Sequence, residues 1–317
     1  MRDKQQAINI IKNITFGVEI ECSFPHDLAR EYGITVNSSN WSRMKSMNHI
    51  RDLDGDFLTQ WQAGYDSTIN SPYGFHGIEF TSKVLRGEDG LKQVVKFFKW
   101  LEAKGARVSR SCGLHIHLGV KSMTDGLDVD ESISQLLRTL KFGNMIKTAI
   151  FAQAGSAHRF LNGTWARARV NKQNAEDRAR LNAVPCFGGK YFFINTQRIS
   201  NNGIRSNHAT IEFRAFAGTT NYKKVLNHLM TAFYCAYAGM RLQRSTWNPN
   251  FSADEGVRAF NALANIVREP CIAQFETFQE NKRQMLKIGR KMAKKFQTNI
   301  RRAITRSNGD LDISTYN

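Results

Sequence analysis

The chain has 317 residues, with 45 lysines and arginines against 27 acidic residues, so its formal charge is +18 with the histidines neutral. Apolar residues make up 41% and aromatic residues 11%, with only 5 prolines, a composition that buries a core and excludes a disordered chain. At roughly 150 residues per domain, the length fits two domains or one large α+β domain with an appendage.

From the N-terminus, Arg2 and Lys4 precede QQAINIIKNI, a run too polar and too short for a secretory h-region, so export is not expected. Residues 14–24 (ITFGVEIECSF) alternate apolar and polar and predict a half-buried strand. Residues 25–64 carry turn formers without periodicity and read as a long excursion. GIEFTSKV from Gly77 is strand-like, and Leu91, Val94, Val95, Phe98 and Leu101 mark a helix closed by Gly105. A strand with a break at Gly113 follows within 107–120, then a helix over 133–150. A second basic stretch, 159–180, reads as a loop or mobile helix able to face a phosphate-rich cleft. Strands are expected at 190–195 and 209–216. The rest is helical: 225–242, a helix opened by the capping box Ser252-x-x-Glu255 and stopped before Pro270, and a basic helix over 281–306. The longest weakly polar run, 229–240, falls short of the ~20 residues that span a bilayer, so no membrane contact is expected. Cys22, Cys112, Cys186, Cys235 and Cys271 contain no CxxC pair and read as reduced, mostly buried thiols of a cytoplasmic protein. Strands in front and helices behind predict an α+β fold, a mostly antiparallel sheet backed by helices with a helical C-terminal region.

The basic helix concentrates the charge. Residues 281–306 hold ten of the lysines and arginines and no acid, while Met285, Ile288, Met292, Phe296 and Ile300 form one apolar stripe. A docked helix with a solvated basic face is the plain reading. A face for nucleic acid or another polyanion is the sharper one.

The strands carry ionisable residues in unusual places. Glu19 and Glu21, His115 and His117, and Glu212 and Arg214 are each spaced by two, so each pair shares one face of the sheet. Ile or Phe intervenes in every pair, which makes the other face apolar. Glu79 in GIEF adds a further acid, and Asp66 in GYDSTIN follows the excursion as a loop acid whose ordinary role is a turn. Carboxylates gathered on one face repel one another unless cations neutralise them. Hard divalent ions such as Mg²⁺ or Mn²⁺ suit those oxygens, and an imidazole completes a shell.

FGVEIE (16–21), the Asp66-Ser67 step, GIEFTSKVLRG (77–87), SCGLHIHLG (111–119), KY-x-x-IN (190–195) and TIEFRAFAGTTN (210–221) together resemble the amidoligase family of phage and cellular proteins. That family is a branch of the glutamine synthetase-like carboxylate-amine ligases. The resemblance spans about residues 14–240 and implies an antiparallel sheet forming a funnel around ATP and two or three Mg²⁺ or Mn²⁺ ions. By position, Glu19, Glu21, Asp66, Glu79, His115 and Glu212 would bind metal, with Asp66 the least secure. His115 and His117 would also contact phosphate or substrate, and Arg214 would stabilise the transferring γ-phosphoryl group. It further implies a carboxylate and an amine as substrates, either of them open to being a peptide or protein, and a catalytic region over 1–245 (with 25–64 as an insertion) followed by a basic extension over 246–317.

The chemistry has its own logic. Joining a carboxylate to an amine turns a poor leaving oxygen into phosphate, so ATP first yields an acyl phosphate, and the protein must position anions and neutralise charge. Gly188-Gly189-Lys190 lacks the spacing of a P-loop, and no orienting acid accompanies Cys112 and His115 as a nucleophilic triad. Two rivals remain open: a metal-dependent phosphohydrolase or transferase using the same face, and a non-catalytic basic protein bound to nucleic acid or a virion. Oligomeric state is not readable.

Overall fold

The computed structural model describes residues 2–34, 47–162, 192–241, 251–266 and 271–307. Its elements run α1 (Lys4–Lys12), β1 (Thr15–Pro25), α2 (His26–Glu31), β2 (Asn48–His49), β3 (Trp61–Tyr65), β4 (Phe75–Ser82), β5 (Leu85–Arg86), α3 (Gly87–Ala103), β6 (Gly113–Gly119), α4 (Val120–Met123), α5 (Val129–Met145), α6 (Lys147–Ala154), α7 (Ala157–Asn162), β7 (Ile194–Asn195), α8 (Gln197–Asn202), β8 (Thr210–Ala217), α9 (Tyr222–Arg241), α10 (Gly256–Ile266) and α11 (Glu276–Arg306). The strands form one sheet in the order β2-β3-β4-β1-β6-β8-β7, with β5 also paired to β1. Every pairing is antiparallel. The α+β class and the antiparallel sheet are as the sequence predicts.

Alternation along the central strands divides the two faces. Val18, Ile20 and Cys22 on β1, Ile78 and Phe80 on β4, Leu114 and Ile116 on β6, and Ile211 and Phe213 on β8 are fully buried. They face the helical layer, where α3 and α9 carry much of the contact. Trp61 stacks on Phe97 with ring centres 3.6 Å apart, and Phe16 meets Phe233 edge-on at 5.2 Å. At ~25 cal/mol per Å² of apolar surface, aromatic contacts of this kind are the main source of stability in such a layer.

Two elements depart from the sequence expectation. The 25–64 segment contributes β2 and β3 to the sheet. Its WQAGY strand alternates weakly because Ala63 and Gly64 are both buried, so period two is invisible there. The helix expected over 133–150 is two helices, broken at Ile146, where φ is −92° and ψ is 13°. Near that break a Cβ on Gly143 would lie 2.5 Å from Ile194 Cδ1, so β7 packs against bare backbone. Of the strand expected at 190–195, Ile194 and Asn195 are paired, and Lys190 and Tyr191 lie outside the described residues. Of the basic stretch 159–180, residues up to Asn162 lie on α7 and 163–180 lie outside the described residues, as does Cys186; the other four cysteines are free and buried.

The C-terminal helix α11 has 31 residues, a length of about 46 Å. Met285, Gly289, Ala293, Phe296 and Ile300 form its buried stripe, one register away from the predicted one at two positions, since Ile288 and Met292 are only partly buried. Small residues replace large ones at the closest approach: a Cβ on Gly289 would lie 2.2 Å from Phe260 Cζ. The Ser252–Glu255 capping box forms and leads through a 3₁₀ turn into α10. Among the described residues, no helix is long and apolar enough to cross a membrane.

Candidate active site

The ionisable residues fall on the sheet face opposite the helices. Strand register brings them together: Glu21 pairs with Glu79 across β1 and β4, Glu19 with His115 across β1 and β6, and His117 with Glu212 across β6 and β8. Directly opposed residues in an antiparallel pair have Cβ atoms about 5 Å apart, so these side chains form one belt across four strands. A bulge between β6 and β8 gives β8 an extra residue opposite His115. Such bulges re-aim side chains, and this one lies at Arg214.

Two groups of three result. Glu19, His115 and Glu212 form the first, and Glu21, Asp66 and Glu79 the second; in each, one ligand atom per residue lies within 4.8 Å of the others. Asp66 reaches its group because the turn after β3 folds directly over β4. Its Oδ1 accepts from the Thr68 N–H at 2.9 Å and the Thr68 hydroxyl at 2.7 Å. Gly77 makes this approach feasible, since a Cβ there would sit 2.4 Å from the Asp66 carbonyl oxygen. The glycine of GIEF therefore serves the acid of GYDSTIN.

The first group is densely connected. His115 Nδ1 lies 3.2 Å from Glu19 Oε2 and 3.4 Å from Glu212 Oε1. Arg214 donates to Glu212 Oε1, and Asn195 Nδ2 donates to Glu212 Oε2 at 2.6 Å. His117 Nε2 lies 3.0 Å from Glu19 Oε1 yet is buried without a hydrogen-bond partner, so the contact is close but misaligned. In the second group, Glu21 Oε2 accepts the Gly113 N–H at 2.6 Å.

Electrostatics follow this wiring. Burial pushes the Glu19 carboxyl up, but His117 and His115 more than offset it and hold Glu19 well below the usual carboxylate range. Glu212 is likewise raised by burial and lowered, net, by the two histidines and Arg214. Burial disfavours charge on His117, and the Glu19 and Glu212 carboxylates outweigh it, raising the imidazole above its ordinary value. Carboxylates kept ionised in a nearly dry site suit cation binding. The donor chemistry fits a hard divalent ion: five carboxylates and one imidazole in two compact trios, with the orphaned His117 nitrogen beside the first.

All eight sequence-predicted residues lie on this face. Glu19, His115, Glu212, Glu21, Asp66 and Glu79 fall into the trios, Arg214 bonds one of them, and His117 lies in neither. Sequence reasoning missed Asn195, Arg198, whose Nη2 lies 3.7 Å from Glu19 Oε1, and Thr210, whose hydroxyl is 3.3 Å from His117 Nδ1. Asn195 carried a signal in the IN of the 190–195 stretch opposite Glu212, and Thr210 in its spacing of two from Glu212.

An antiparallel sheet with an apolar, helix-covered face and an acidic face bearing histidine and arginine places the chain among α+β proteins. The family is narrower: residues 12–233 match the one described as "Putative amidoligase enzyme", and the chain belongs to it. No curated protein matches in sequence. Among solved structures, the chain is similar to a bifunctional glutathione synthetase from Pasteurella multocida (11% identity, TM-score 0.41, 98% of this chain and 52% of that one). It thus spans about half the length of that protein. It is also similar to the ligase PafA in complex with the prokaryotic ubiquitin-like protein Pup (9%, TM-score 0.36, 96% and 71%) and to a glutamine synthase homolog (12%, TM-score 0.35, 92% and 75%).

Proposed function

We propose that this amidoligase-family chain is an ATP- and divalent-metal-dependent carboxylate-amine ligase. The observation that carries the reading is the pair of three-residue acidic groups on one sheet face with Arg214 bonded to Glu212. In this reading Glu19, His115 and Glu212 hold one ion, and Glu21, Asp66 and Glu79 hold another. A Mg²⁺ or Mn²⁺ ion held by these residues would neutralise phosphate charge and polarise the phosphoryl group.

The carboxylate oxygen of the first substrate attacks the γ-phosphorus of ATP, forming an acyl phosphate and releasing ADP. The amine then attacks the acyl carbon, phosphate leaves, and a proton is lost from nitrogen. Arg214 would stabilise the charge that builds on the transferred group, its direction set by the bond to Glu212 and the β8 bulge. His117, with its Nε2 lacking a hydrogen bond, faces phosphate or substrate. Asn195 holds the second oxygen of Glu212, so that Glu212 presents one oxygen to the site. Residues 1–245 carry this chemistry, and 246–317 add the basic helix. The carboxylate and amine are open to being part of a peptide or protein.

The test is calorimetric titration of ATP with and without Mn²⁺ into the wild type and Glu19→Ala. Metal-dependent binding that disappears in Glu19→Ala is expected. Amine-dependent release of phosphate, reduced at least ~10²-fold in Glu19→Ala and Glu212→Ala with melting curves intact, separates a ligase from a phosphohydrolase. ATP binding absent at every metal concentration removes the reading.

A further inference from the structure

The basic charge is not confined to α11. Helix α9 opens with Tyr222, Lys223 and Lys224 and has no acidic residue in its first turn. The N-terminal end of a helix is already positive, so acids are favoured there and lysines are not. Asn221 Oδ1 accepts the Lys224 N–H at 3.2 Å, which caps the turn but brings no negative charge to the two ammonium groups.

Three helices deliver lysines to this place. Lys99 Nζ, from α3, and Lys223 Nζ each lie over the Tyr222 ring, 5.3 Å from its centre. Lys224 is half-buried, and the charges that act on it are those of Lys295 and Lys291, on the neighbouring α11. Burial, with these two lysines adding, holds its pKa below the usual lysine value. None of the five lysines forms an ion pair among the described residues. Repulsion between partly buried like charges is screened little by salt, so the fold carries this cost where an acid would have removed it.

The residue types indicate what relieves it. All five cations are ammonium groups, point charges of the kind that hold phosphate, without the planar fork that grips one oxyanion bidentately. Exposed Lys287 and Lys294 continue the patch along α11, so it is larger than one phosphate group and suits a linear array of them. Tyr222 is not free to stack on a base, because two ammonium groups lie over its ring and the side chain packs against the core. We propose that Lys99, Lys223, Lys224, Lys291 and Lys295 bind the phosphate backbone of a nucleic acid without reading its bases. The cluster belongs to the helical layer, behind the sheet from the acidic face, and does not depend on the ligase reading.

The experiment follows fluorescence anisotropy of a labelled thymine oligonucleotide and a mixed-sequence one across a salt series. The full chain is used as wild type, Lys224→Gln, the triple variant Lys99→Gln, Lys223→Gln, Lys224→Gln, and Lys121→Gln. Lys121 follows β6 at the end of that strand away from α9, and its replacement changes net charge as Lys224→Gln does. The wild type is expected to bind both oligonucleotides alike and to weaken as salt rises. The triple variant should bind about tenfold more weakly, with a log–log salt slope smaller by about two, since each single-strand phosphate contact contributes about 0.7. Lys224→Gln should melt higher than wild type without nucleic acid, because a repelled charge is gone, and yet bind more weakly. Loss of a merely structural contact would not give that combination. No binding by the wild type, an unchanged slope in the triple variant, equal weakening in Lys121→Gln, or affinities that differ between the two sequences overturn the proposal. Tighter binding of polyglutamate than of either oligonucleotide at the same salt also overturns it, and would assign the patch to an acidic polypeptide.

Discussion

Two buried histidines show how neighbours decide what one residue type does. His117 has Glu19 and Glu212 beside it and is raised above its ordinary value. His228, on α9, stacks on Phe216 with ring centres 4.1 Å apart, has a buried Nδ1 without a hydrogen-bond partner, and faces the charge of Lys224. Burial, with Lys224 adding, pulls its pKa from 6.5 to about 3. Folded and unfolded chains both hold this histidine neutral above pH 6.5, so it is silent there. Below that, the unfolded chain binds a proton that the folded one refuses, and stability falls until the folded value is reached, by up to about 5 kcal/mol if the whole shift is expressed. The drop in melting temperature between pH 6.5 and 4 should therefore be smaller in His228→Gln, whatever its stability at pH 7. Equal pH slopes for the two proteins would mean that His228 does not titrate in this window.

At the scale of elements, α11 is held where the chain is smallest. Alanine in place of a helix-interior glycine normally stabilises by about 1 kcal/mol. At Gly289 the new methyl would meet the ring of Phe260, which is 1% exposed and has little room to retreat. Overpacking of this kind costs about 1–3 kcal/mol, so the sign reverses. Gly289→Ala should unfold at lower denaturant than wild type, and Phe260→Leu should recover part of the loss in that background. The sequence displays the stripe of α11 but not this contact, because nothing local to Gly289 reports a ring on another helix. The same limit explains the site. Pairs such as Glu19 and Glu21 were legible because period two is written in the strand itself, and so was the apolar reverse of the sheet. Joining Asp66 to Glu21 and Glu79 depends on a turn lying over Gly77, while Asn195 and Arg198 arrive from β7 and α8 through the packing of distant segments.

Across the whole molecule, the acidic site and the basic charge occupy different elements. Ten lysines and arginines of 281–306 lie on α11, and the buried stripe of that helix turns most of them outward. Lys287, Lys291, Lys294 and Lys295 are exposed and form no ion pair among the described residues; the helix has such contacts nearer its ends, Glu276 with Lys92 at 3.4 Å and Arg301 with Asp254 at 3.9 Å. At physiological salt the screening length is about 8 Å, so this charge acts on whatever lies against the helix surface and little on groups further away. A carboxylate or amine substrate borne on an anionic chain would be gathered by such a face without the face taking part in catalysis. Replacing these four lysines with glutamine should make the protein leave heparin at lower salt, while Mn²⁺-dependent ATP affinity stays within about twofold. Unchanged elution would reduce the basic face to a solvated surface. A matching loss of ATP affinity would instead place α11 in the proposed ATP site, and the division between a charged exterior and an acidic sheet face would no longer hold.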